Sequence, residues 1–214
     1  MNASYCKRNV SISHAGVLLL LSTVAISGCA TTESSLTPAR IEIQQVGFTI
    51  TEETKISGDV RLDYDEALTY LKQGRLEQGV QMLEAVVEAA PQLSAPRIDL
   101  GIAYHRKGNL DAAESSLLQA LESNPDHPIA HNELGIVYRK TGRFAAARQS
   151  YQAALATYPG YHFARRNLAI LCDLYLADLD CALQNYEAYM TTVPSDEEAT
   201  MWIADIRQRM GKAE

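Results

Sequence analysis

The chain has 214 residues, of which 47% are apolar and 21% charged, a composition typical of one folded domain with a tail. Asp and Glu (26) outnumber Lys and Arg (19), giving a net charge of −7. An acidic chain is a poor nucleic-acid binder, because neutralising phosphates requires clustered Lys and Arg. Four cysteines are too few for a disulfide scaffold, so each must be interpreted at its own position.

The N-terminus has the layout of an export signal. Basic Lys7 and Arg8 precede an apolar stretch, residues 17–26, that is too short to span a bilayer comfortably. Two small residues and Cys29 follow Ile26, which resembles the lipobox of bacterial lipoproteins. The resemblance implies that signal peptide 1–28 is removed and that Cys29 is lipidated. The alternatives are a plain signal peptide with an incidental cysteine, or an uncleaved anchor.

This resemblance also predicts a location. Residue 30 is Ala rather than the Asp that resembles an inner-membrane retention signal. We therefore expect a lipid anchor in the bacterial outer membrane, with the protein facing the periplasm, an oxidising compartment.

Residues 29–59 combine the predicted lipidated cysteine, a tether and a short extended segment. Residues 30–38 are rich in Ser and Thr, as in flexible linkers. Residues 40–50 have strand-like chemistry. Three arrangements are open for this segment: packing on the rest of the chain, disorder, or pairing with a strand of a partner.

Beyond residue 59, residue types recur with a period of 34. The recurring residues are Tyr70, Tyr104 and Tyr138; Gly74, Gly108 and Gly142; and Pro91, Pro125 and Pro159, with Pro194 following at 35. Such a period is typical of stacked repeats of one supersecondary unit.

The pattern within the period resembles the tetratricopeptide repeat, W-x2-L-G-x2-Y, then A-x3-F, then P. The second unit supplies Arg97, Leu100, Gly101, Tyr104, Ala113, Leu117 and Pro125, and the third supplies His131, Leu134, Gly135, Tyr138, Ala147, Tyr151 and Pro159. The resemblance implies an all-α solenoid of about four helix-turn-helix repeats over residues 60–194 (60–93, 94–127, 128–161 and 162–194). Gly74, Gly108 and Gly142 are expected in the turns between the helices.

Residues 195–214 are predicted to form a capping helix. Residues 195–198 read as a capping box that starts at Ser195. Trp202 is then expected to pack on the last repeat, with stacking on a ligand as the alternative.

The sequence contains no Gly-rich phosphate loop, no HExxH motif and no nucleophile elbow, and its five histidines do not stand at metal-ligand spacings. We therefore expect no enzyme activity, no catalytic residue, no metal site and no cofactor.

In the resembled family the first helix of each unit lines a concave groove. Carried over by register, the expected groove residues are Tyr64, Leu68, Lys72, Ile102, His105, Arg106, Asn132, Ile136, Arg139, Lys140, Arg166, Asn167 and Ile170. An aliphatic row beside a basic row suits a peptide with acidic groups. Alternatively, the aliphatic row belongs partly to the core and the basic row only caps helix C-termini.

Cys172 occupies the Tyr position of the fourth unit, and Cys181 begins its second helix. The turn between them has one extra residue and carries Leu176 in place of the glycine. Positions equidistant from a turn face each other, which predicts a Cys172–Cys181 disulfide. Two buried free thiols, or a metal or redox site, are the alternatives.

These features predict a non-enzymatic, membrane-anchored adaptor that binds envelope proteins or peptide segments. The layout is similar to that of tetratricopeptide lipoproteins of pilus assembly. The alternatives are a self-associating structural lipoprotein, and a tether or regulator of peptidoglycan enzymes or of an energy-transducing membrane complex.

Overall fold

The structure, a computed structural model, describes residues 40–43, 48–51 and 56–211. The predicted signal peptide, Cys29 and the tether lie outside the described residues. Within the described part, no helix combines the length and the apolar character needed to cross a membrane.

A small hairpin precedes the helices. Strand β1 (Arg40–Ile43) pairs in antiparallel fashion with β2 (Phe48–Thr51), with Ile41 opposite Ile50. The strand-like chemistry of residues 40–50 thus produces two paired strands. A two-stranded hairpin alone is marginally stable in water.

The described part of the chain then folds into four helix pairs and one final helix. The pairs are α1 (Gly58–Lys72) with α2 (Leu76–Ala89), α3 (Ser94–Arg106) with α4 (Leu110–Ser123), α5 (Pro128–Lys140) with α6 (Phe144–Thr157), and α7 (His162–Leu174) with α8 (Leu179–Met190). Helix α9 (Glu197–Arg209) follows. The prediction of an all-α array of four units and a terminal helix is confirmed.

Within a unit, the two helices approach closely at small residues. A Cβ atom on Gly135 would lie 2.5 Å from Cε1 of Tyr151, and one on Gly101 would lie 2.7 Å from Cγ of Leu117. Carbon atoms do not approach so closely without strain, so only glycine leaves room for the large residue of the second helix. The core therefore forms where a small residue faces a large one.

The turns within the first three units depend on glycine. Gly74, Gly108 and Gly142 have φ values of +75°, +80° and +75°, which end the first helix in the left-handed conformation. In the fourth unit the left-handed residue is Ala177, with φ of +51°, and not Leu176, which the register had placed there. The extra residue of this turn moves the left-handed position one residue along the chain.

A recurrent contact joins each first helix to the loop before it. Arg97 donates to the carbonyl oxygen of Pro91, Arg165 donates to that of Pro159 at 3.3 Å, and His131 Nε2 lies 2.7 Å from that of Pro125. We call these contacts the proline straps. They explain why polar residues occupy the position where the repeat pattern has Trp.

His127 forms the N-cap of α5 and is only 4% exposed. Its Nδ1 accepts a hydrogen bond of 3.4 Å from the backbone N–H of Ala130. Burial, with a smaller contribution from His131, lowers the pKa of His127 to about 4. The folded protein therefore holds this imidazole in its neutral form.

Helix α9 covers the fourth unit. Its N-cap is Asp196 and not Ser195, because Asp196 accepts hydrogen bonds from the Ala199 N–H (3.0 Å) and from the Tyr189 hydroxyl (2.7 Å). The Trp202 ring packs 5.3 Å from that of Tyr186.

Candidate functional site

The first helices of the units form the inner side of the array. Helix α3 contacts α5, and α5 contacts α7, whereas the second helices of the described units make no comparable contacts with one another. Helices on the inner side of a bent array lie closer together than those on the outer side. The predicted groove residues all lie on these first helices.

The aliphatic row has two roles in the structure. Leu68, Ile102, Ile136 and Ile170 are all half-buried. Ile102 packs against the core around Leu117, while Ile136 and Ile170 pack against the core around Tyr151. The three isoleucines thus form the edge of the core and keep part of their surface exposed.

Some predicted groove residues bind neighbouring units. The Tyr64 hydroxyl donates to the Asp99 carboxylate (2.5 Å), which joins the first unit to the second. Asn167 Nδ2 donates to Asn132 Oδ1 (2.9 Å), which joins the fourth unit to the third. Asn132, 1% exposed, also donates to Glu133 (3.0 Å). Buried polar groups need such partners, so these side chains fix the spacing of the units.

The middle of the inner face carries four basic residues that we call the basic cluster: His105, Arg106, Arg139 and Lys140. They occupy the last turns of α3 and α5, where cations also interact favourably with the helix dipole. Burial, and then the charges of Lys140, Arg106 and Arg139, lowers the pKa of His105. The cations of two successive units therefore act on one imidazole.

Two atoms of the basic cluster are buried without a hydrogen-bond partner among the described residues. They are His105 Nε2 and Arg139 Nε. A terminal nitrogen of Arg139 donates to the Tyr175 hydroxyl (3.3 Å), and its guanidinium lies 5.6 Å from the centre of the same ring. Burial lowers the pKa of Arg139, but contacts with the hydroxyls of Tyr151 and Tyr175 raise it overall. Tyrosines of the third and fourth units therefore hold this guanidinium.

Two carboxyl groups lie near the basic cluster. Burial raises the pKa of Asp99, opposed by its hydrogen bond from Tyr64 and by the charge of Arg106. Burial likewise raises the pKa of Glu133, opposed by Asn132 and by Arg106. Arg106 therefore stabilises the charged forms of two buried carboxyl groups.

The predicted groove residues at the two ends of the array differ in their surroundings. Arg166 of α7 lies over the Trp202 ring at 5.1 Å and 3.7 Å from the Glu198 carboxylate. The terminal helix thus holds this side chain. At the other end, Lys72 is exposed in the last turn of α1.

Cys172 and Cys181 are joined by a disulfide with a Cα–Cα distance of 5.9 Å. Asp178 caps α8 by accepting the Cys181 N–H (3.1 Å), and it pairs with Arg148, which lowers the pKa of its carboxyl. The two sulfur atoms and the Asp178 carboxylate lie within 4.8 Å of one another. Because both sulfurs are in the disulfide, neither is a thiolate that could bind a metal.

The sequence matches the family model for the tetratricopeptide repeat over residues 64–114 and 98–162. This chain is a tetratricopeptide repeat protein.

Solved structures of other tetratricopeptide-type arrays resemble this repeat protein. A crystal structure of MamA shares 21% identity with a TM-score of 0.63, covering 68% of this chain and 85% of that one. MamA from Desulfovibrio magneticus RS-1 shares 18% identity with a TM-score of 0.65, covering 74% and 89%. Pseudomonas aeruginosa pilF shares 19% identity with a TM-score of 0.65, covering 72% and 69%. At these identities the likeness is one of fold. No curated protein matches the sequence.

Three features of this tetratricopeptide repeat protein were not predicted from the sequence. The proline straps use residues spaced by 34, so the period itself could have revealed them. The Arg148–Asp178 pair and the Arg139–Tyr175 contact join positions in different units that no local pattern connects.

Proposed function

We propose that this protein is a non-enzymatic adaptor that binds an acidic segment of a partner protein at the basic cluster. The observation that carries this proposal is the concentration of His105, Arg106, Arg139 and Lys140 in the last turns of two first helices that contact each other. Their combined charge also lowers the pKa of His105, after the larger effect of its burial. Tetratricopeptide repeats generally serve as surfaces for protein partners, which supports the adaptor class.

The chemistry of the cluster defines the ligand. Arg106 and Lys140 are exposed, so a ligand carboxylate can form charge-assisted hydrogen bonds with them. Ile102 and Ile136 are half-buried and offer apolar contacts beside these charges. A segment that alternates Glu or Asp with aliphatic residues satisfies both requirements.

The proposed location rests on the N-terminal sequence. The basic residues, the short apolar stretch and Cys29 support a lipid anchor in the outer membrane, facing the periplasm. Two or more acyl chains hold a protein stably at a bilayer, whereas one chain does so only marginally. Partners would accordingly be envelope proteins.

Replacing the anchor cysteine tests this location. With Cys29→Ala, we expect the protein to lose incorporation of a fatty-acid analogue, measured by metabolic labelling and gel fluorescence. A matched Cys6→Ala variant should keep the label. Labelling of the Cys29→Ala variant equal to that of the wild-type protein would contradict the lipid anchor.

Peptide binding tests the groove. A fluorescent peptide of alternating Glu and Leu should bind the wild-type protein, and Arg106→Gln should weaken that binding about tenfold, as expected for a charge-assisted contact of roughly 1.4 kcal/mol. Fluorescence anisotropy measures the affinity. Arg61→Gln removes the same charge from an exposed position of α1 and should change the affinity less than twofold.

The pH dependence of the peptide affinity gives a second test of the groove. The pKa of His105 is lowered in the free protein, and a bound carboxylate would raise it, so binding takes up a proton. Affinity should therefore rise as the pH falls through the pKa of the bound imidazole, and His105→Asn should remove this rise. Equal affinities for the Glu/Leu peptide and a Lys/Leu peptide would refute the proposal.

A further inference from the structure

Helix α9 has the sequence signature of a first helix, although no second helix follows it among the described residues. Each first helix carries a small residue that packs on its own second helix, and the register gives Ala67, Gly101, Gly135, Ala169 and Ala204. The first four are buried. Ala204 is exposed. Among the described residues, no second helix therefore covers the small-residue face of α9.

The uncovered face forms a depression of about 760 Å³ between α8 and α9. Met190, Ile203 and Ala204 provide its apolar surface, and Glu187 and Arg207 form an ion pair of 3.1 Å at its rim. Ile203 occupies the register position of Leu134 and Leu168, which are buried by 96% or more in their units. An apolar floor with a polar rim is typical of a protein-binding surface.

The second helices of the preceding units show which kind of helix packs on a face of small residues. In the second unit, Leu117 packs on Gly101, and in the third, Tyr151 packs on Gly135. These large residues are flanked by small ones, four residues before and three residues after: Ala113 and Ala120, and Ala147 and Ala154. All are fully buried. The matching occupant is a helix with the pattern small-x3-Leu/Tyr-x2-small.

We propose that the face around Ala204 binds one such helix from a different protein, which takes the place of a second helix. This site is separate from the basic cluster and does not depend on it. A second copy of the chain is a poor occupant, because its described helices with this pattern already bury their small residues within their own units. A partner with an unpaired helix of this pattern continues the helix-on-helix interface already present in four units.

The test uses the full chain in lipid nanodiscs and a fluorescent peptide with the sequence of residues 143–158, which contains the pattern Ala147, Tyr151 and Ala154. Saturable binding is expected by fluorescence anisotropy. Ala204→Arg should weaken it at least tenfold, because the long charged side chain fills the depression. Since Ala204 is exposed, this variant should keep the wild-type circular dichroism spectrum.

Ala156→Arg is the matched control, because Ala156 is exposed on α6 and lies outside the depression. It should change the affinity less than twofold, and the same peptide with Tyr151→Asp should not bind. Absence of saturable binding, or equal weakening by both arginine variants, would overturn the proposal. So would a dimer, detected by analytical ultracentrifugation, that dissociates with Ala204→Arg, since a second copy would then be the occupant.

Discussion

The protein is expected to lose about 3 kcal/mol of unfolding free energy through His127 alone when the pH falls from 6.5 to about 4. The imidazole is buried, and its Nδ1 accepts the Ala130 N–H. Protonation would both bury a charge and remove this acceptor. The folded state therefore resists protonation, while the unfolded state does not.

The direction of this pH dependence follows from the pKa values of His127 in the unfolded and folded states. The unfolded imidazole binds a proton near its ordinary pKa of 6.5, and the folded one only near pH 4. Between these values the unfolded state holds more protons, so the free energy of unfolding decreases as the pH decreases. At pH 7.5 and above, His127 is almost entirely neutral in both states and contributes little pH dependence.

His127→Asn tests this expectation, because Asn is a good N-cap that does not titrate. Urea unfolding followed by circular dichroism at pH 7.5 and 4.5 gives the free energies. The difference between the wild-type protein and the variant should shrink or reverse at the lower pH, while groups common to both proteins cancel. A difference that stays constant between the two pH values would contradict a neutral, buried His127.

Reducing the Cys172–Cys181 disulfide is expected to cost about 2–3 kcal/mol, the loop-closure entropy of a bridge between residues nine positions apart. The bridge stabilises the unit whose turn has lost its glycine and holds Ala177 at positive φ. For a domain of this size, the loss corresponds to a fall in melting temperature of roughly 4–12 °C. The loss should be concentrated in α7 and α8, because a repeat contacts mainly its neighbours.

Differential scanning calorimetry with and without a phosphine reductant measures the shift, and hydrogen exchange locates it. The double variant Cys172→Ala, Cys181→Ala serves as the control, since reductant should not change its melting temperature. Mass spectrometry of a digest made without reductant should recover the two linked peptides. Free thiols at both positions in that digest would contradict the bridge.

The array could be predicted from the sequence because its signal is repeated. Tyr, Gly and Pro recur every 34 residues, so one weak match is supported by the next, and this fixed the helix pairs and the glycine turns. Where the period changes, the prediction became less accurate: the extra residue in the fourth turn moved the left-handed residue from Leu176 to Ala177. The N-cap of α9 was misplaced by one residue because Ser195 and Asp196 are both good caps.

The inner face was harder to predict than the fold. Register placed Asn132 and Asn167 in the groove but could not show that their side chains bind each other. It also placed His105 and Arg139 on adjacent helices without showing that each has a buried nitrogen lacking a partner. Such properties depend on distances between units, which no pattern within one unit contains.

The position of the disulfide also bears on the order of folding and thiol oxidation. Cys172 and Cys181 lie within one helical hairpin, so their bridge can close once that hairpin exists, without contacts distant in the chain. Proteins dominated by such local contacts fold on a microsecond-to-millisecond timescale, whereas thiol oxidation takes seconds or longer. We therefore expect the helices to assemble first and oxidation then to lock a hairpin that already has its final geometry.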